Sequence, residues 1–152
     1  MASFITNRGK FNAMNAYLKN ATEPTQFYLV LTTSSVTPTV DTNLFSDLAN
    51  EIPAGNGYTS GGLAVTRDAT GWPTATEDDT NDWALFTLQD CVFTASGGSL
   101  PGSGTGARWG ILTDDNATLN SREVIGAFDL ASNRIATVGL SISLSGFKLK
   151  GA

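Results

Sequence analysis

The chain has 152 residues, with 14 acidic against 9 basic side chains, no histidine and a single cysteine, for a formal charge of -5. That length is one domain's worth. The missing histidine removes the usual general base and the commonest transition-metal ligand, one cysteine excludes an intrachain disulfide, and the acidic balance offers no field for phosphate, so neither cofactor nor nucleic acid is an expected partner. Charged residues make up 15% of the chain, well under the roughly 25% of an ordinary soluble domain. A surface so poor in charge suits a subunit whose neighbours cover part of it.

In chain order, residues 1–10 are polar and lack a period of their own, and they read as an N-terminal arm lying on a neighbour, with residues 11–152 as one globular body. Ser3, Phe4, Ile5, Arg8 and Lys10 are its expected contacts. The first residues lack a basic start followed by an apolar core, so no secretory signal is expected. No apolar run approaches the roughly 20 residues that cross a bilayer, so no membrane partner is expected either. A helix is predicted over 7–20, where Phe11, Met14, Tyr17 and Leu18 share one face and Asn12, Asn15 and Lys19 the other. Thr6 or Asn7 can cap it. Residues 27–33 form a nearly continuous apolar strand, buried on both faces, one against the sheet core and the other under either the N-terminal helix or a neighbouring subunit.

From Phe45 to Val65 the chain is irregular but specific. Phe45, Leu48 and Ile52 fall at helical spacing, predicting a short helical turn near 44–52 that Pro53 stops. Asn56-Gly57 and Gly61-Gly62 are points of permitted positive φ, so Tyr58 is pinned between two pivots before the strand at 62–66. Residues 68–82 read as a surface loop or a strand pair too short to define. Strands are predicted at 83–94, 107–113 and 122–130, with the glycine-rich loop 96–106 reaching out from between the first two. Val138, Leu140, Ile142 and Leu144 alternate with small or polar residues, so one face of a strand there is core. After Gly146 the parity flips to Phe147 and Leu149, which predicts a bulge or turn at Ser145-Gly146. The whole reads as all-β, a β-sandwich or partly closed barrel, with a short N-terminal helix.

Candidate chemistry is thin. Asp114-Asp115, and Glu77-Asp78-Asp79 with Asp82, are the carboxylates available to a hydrolase that works with two acids, or to a calcium ion. Acids adjacent in polar loops ordinarily form turns, and Trp83 stands where the calcium-loop glycine belongs. Cys91, in an apolar run, is a core residue. Trp72, in a Gly-Trp-Pro turn, is the tryptophan expected to meet a partner, together with Ser99 and Leu100 in the glycine-rich loop. Arg8, Lys10, Lys19, Lys148 and Lys150 lie near the two ends, so converging termini would make a basic end on an acidic body.

The strand Phe27 to Thr33, the run Asn56-Gly57-Tyr58-Thr59-Ser60-Gly61-Gly62, the strand at Ala107-Arg108-Trp109, Val124 to Asp129 and the terminal pair from Val138 to Leu149 together resemble a β-domain found in virion structural proteins of tailed bacteriophages. The resemblance runs in order over residues 27–149. It implies a non-enzymatic virion component, with the head and the tail as possible positions. The favoured expectation is a capsid decoration or cement protein, a homotrimer bound to the major capsid protein. The alternative is a tail or fibre component that binds host-surface glycan through Trp72 and the 97–106 loop.

Overall fold

A computed structural model describes residues 3–151, and it is mostly β with a single α-helix among those residues. Five strands build the larger sheet, β1 (Ser3–Ile5), β2 (Gln26–Thr32), β3 (Leu63–Thr66), β7 (Ala107–Thr113) and β8 (Val124–Arg134), in the order β1-β8-β7-β2-β3 and antiparallel throughout. A second sheet joins β4 (Thr74–Asp78), β5 (Trp83–Thr87) and β10 (Lys148–Gly151) in the order β10-β5-β4, and β6 (Cys91–Thr94) pairs with β9 (Ser141–Leu144). The large sheet ends at β1 and β3 without closing, so the architecture is a sandwich, not a barrel.

Alternation along the strands explains the layering, because successive side chains leave opposite faces. Leu29, Leu31, Leu112, Phe128 and Leu130 point to one side of the large sheet and meet Cys91, Phe93, Ile142, Leu144 and Phe147 of the covering layer. Val30, Trp109, Ile111 and Ala127 point to the other and meet Phe45 and Leu48. The second face of β2 is therefore covered by the helical turn around Phe45–Asp47, neither by the N-terminal helix nor by a neighbour.

Helix α1 (Asn7–Lys19) is capped by Thr6, whose side chain accepts the Gly9 N–H at 2.9 Å, and it ends at Asn20 in the left-handed region. Gly9 is the one buried residue in it. A Cβ there would stand 2.4 Å from the Ile125 carbonyl oxygen, so only glycine lets the helix sit this close to β8.

Three sequence expectations are corrected. The N-terminal segment is no separate arm: Ser3, Phe4 and Ile5 pair with Phe128, Ala127 and Gly126, and a boundary after Lys10 falls inside α1. Residues 83–94 are two strands in different sheets, β5 and β6, with Leu88 to Asp90 turning the chain between them. Val138 and Leu140 are 64% and 62% exposed, because they lie on the turn that the Leu140 N–H closes onto Thr137 and in which Gly139 takes φ +83°. The alternation is a buried strand face only from Ile142 onward. The parity change is present, with Gly146 at φ +66° between buried Leu144 and Phe147. Met1, Ala2 and Ala152 lie outside the described residues, as does the side chain of Lys150.

Candidate interaction surfaces

The segment with the strongest sequence signal proves to be an internal clamp. Phe45, Leu48 and Ile52 are buried, and Asn56 and Gly57 take positive φ. Between them and the glycine pair, Tyr58 is pressed against Phe93, its hydroxyl accepting the Leu31 N–H at 3.1 Å and donating to Glu51 at 2.9 Å. Glu51 also accepts from the Ser60 hydroxyl and the Gly61 N–H. Burial, then the adjacent Glu51 carboxylate, pushes the phenol far above its ordinary range, so Tyr58 is a neutral bridge. On the other side of the loop, buried Arg122 donates to the carbonyls of Gly61 and Asn116 and stacks 4.1 Å over the Tyr28 ring. Glu51, Tyr58 and Arg122 bond to partners within the chain, which suits a structural role.

Of the acidic candidates, Asp78, Asp114 and Asp115 are likewise occupied. Asp78 accepts from the backbone of Thr80 and Asn81 and from the Trp83 indole at 2.8 Å, closing the β4–β5 turn. Hydrogen bonds from Thr25 hold the Asp115 carboxyl below its usual range, whereas burial raises that of Asp114. Adjacent in sequence, these two serve different partners. Among the described residues no group of three or more His, Cys, Asp or Glu side chains is arranged to hold a metal ion.

Of the expected contacts, Leu100 is fully buried in the core, which corrects its assignment to a partner surface. Ser99 is exposed, and its carbonyl accepts from Asn56, tying the glycine-rich loop to the clamp. Trp72 is half-buried edge-on against Phe27 at 6.1 Å. Trp109 is core and Trp83 half-buried, so the tryptophans form no common open platform. Ser3, Phe4 and Ile5 are half-buried in β1, and Arg8 pairs with Glu123 at 3.4 Å.

What the sequence did not reveal is the orientation of α1. Arg8 and Asn12 face the body, both bonded to Glu123, while Phe11, Met14, Tyr17 and Leu18 are 57%, 56%, 85% and 67% exposed. A groove of about 730 Å³ separates the helix from residues such as Pro24, Phe27 and Ile125. The termini converge, since the Ser3 hydroxyl donates to the Lys148 carbonyl. A second apolar patch, Ile135, Val138 and Leu140, follows the far end of β8. The pairing of β7 with β8 runs from Thr113–Val124 to Ala107–Arg134, six residues of β7 or roughly 20 Å, and β8 is bulged within it where Ala131 takes φ +65°. Comparison with family models, curated proteins and solved structures finds no match for the chain.

Proposed function

We propose that the chain is a non-enzymatic structural protein of a tailed-phage virion, a capsid decoration protein that binds the head shell and acts by bridging. The observation that carries this reading is the pair of exposed apolar patches near opposite ends of β8. Contiguous exposed apolar surface on a soluble chain marks contact with another macromolecule, and two such surfaces fit a subunit that touches two neighbours at once. The low charge content and the motifs over residues 27–149 point the same way. Attached in many copies, each through weak contacts, such a subunit binds tightly as an ensemble and ties adjacent shell proteins together.

The test is immunogold electron microscopy of purified virions with an antibody against this chain. Gold scattered over the heads is the expected result. Gold confined to tails overturns the decoration role and makes glycan binding the question. Unlabelled particles overturn the virion reading itself.

A further inference from the structure

Helix α1 carries an exposed apolar stripe inside a wholly basic frame: Arg8, Lys10 and Lys19 are its charged residues, and residues 7–19 contain no acid. The β4–β5 hairpin is its electrostatic complement. Residues 74–87 contain Glu77, Asp78, Asp79 and Asp82 and no base, and they surround a shallow hollow of about 620 Å³ whose apolar part is Ala75, Trp83, Ala84 and the 45% exposed Phe86. We infer that the apolar face of α1 docks on the β4–β5 hairpin of a second copy of this chain.

Symmetric pairing of two α1 helices would set the cations of one helix against those of the other, with no acid on either helix to relieve it, which disfavours a two-fold contact through the helix. The acids beside α1 in its own chain have partners there: Glu123 with Arg8 and Asn12, Asp41 with Asn7, Glu23 with Arg67, Asp115 with Thr25, and Asp114 with the Glu123 N–H. Glu77 and Asp79 are exposed and form the acidic rim of the hollow. Joining a helix on one copy to a hairpin on the next is a head-to-tail contact, which closes into a ring or runs on as a filament. The inference draws on one of the two patches on which the proposed function rests: it gives the α1 stripe to a second copy of the chain, and it leaves the patch at Ile135 to Leu140 for a different protein.

The experiment is sedimentation velocity of the full chain over a concentration series, at low and moderate salt. The unaltered protein is expected to associate, more strongly at low salt. Two charge-reversed variants are compared with it, Lys10→Glu/Lys19→Glu on the helix and Glu77→Lys/Asp79→Lys on the hairpin. Each alone is expected to lose association by about tenfold or more, because like charges then face each other, and an equimolar mixture of the two to recover it. Circular dichroism of each variant checks that the fold is kept. A protein that is monomeric at every concentration overturns the inference. So does association that survives the hairpin reversal, or a mixture of folded variants that stays monomeric.

Discussion

The Tyr58 hydroxyl reinforces the short antiparallel bridge between Thr32 of β2 and Glu51 beyond the helical turn, since it accepts from β2 through Leu31 and donates to Glu51. Tyr58→Phe keeps the ring against Phe93 but strands the buried Leu31 N–H, while Glu51 keeps its bond from the Gly61 N–H. The expected loss is about 1–3 kcal/mol in urea unfolding, the cost of leaving a buried polar group unpaired. Its ionisation gives an independent readout. The folded-state phenol is raised above its unfolded value, so the stability it contributes is full below about pH 10 and falls as pH rises, when the unfolded chain releases a proton that the folded chain keeps. Of the three tyrosines, Tyr58 is expected to show no absorbance change in alkaline titration until the protein unfolds.

At the scale of elements, the exposed stripe on α1 and the core strands separate in their response to truncation. Leu18→Ser is expected to change the unfolding free energy by no more than about 0.5 kcal/mol, as exposed substitutions do, while Leu29→Ala costs about 2–5 kcal/mol. Denaturant titrations of both variants check the contrast. It also marks what the sequence could tell. The turn at Phe45, the positive-φ points around Tyr58 and the Thr6 cap were legible because each depends on neighbours along the chain. The outward aspect of α1 was not, because periodicity says which side chains share a face and is silent on whether the chain itself covers that face. Val138 and Leu140 misled for a related reason: apolar alternation persists through a turn, and only Gly139 between them marked the break. The clamp's residues were visible as a motif, but its partner Arg122 was not, since a hydrogen bond across 61 positions leaves no trace in spacing.

For the whole molecule, acid stability depends on carboxylates with opposing signs. Asp115 has a depressed pKa in the fold, so its contribution is present above the ordinary carboxylate range and is lost as pH falls through it. Asp114 has a raised pKa, so its protonation on acidification favours the folded state. Asp115→Asn is expected to lower Tm at about pH 7 and to have little effect at about pH 2, where the carboxylate it replaces is already neutral. Calorimetry at the two pH values measures this. An equal loss at both would mean that Asp115 acts through shape and not through charge.

Strand β8 has a mechanical consequence. It runs beneath the docked helix at one end and delivers the chain to the Ile135–Leu140 turn at the other, with β1 bonded to Gly126, Ala127 and Phe128 on one side and β7 bonded from Val124 to Asp129 on the other, before the bulge that precedes Arg134. Antiparallel hydrogen bonds lie perpendicular to their strands. A pull between the two exposed patches therefore loads that ladder in shear, many bonds at once, where a pull on a sheet edge would open them one after another. The strand is a tie-rod, strongest along the line on which neighbours attached at its two ends would strain it.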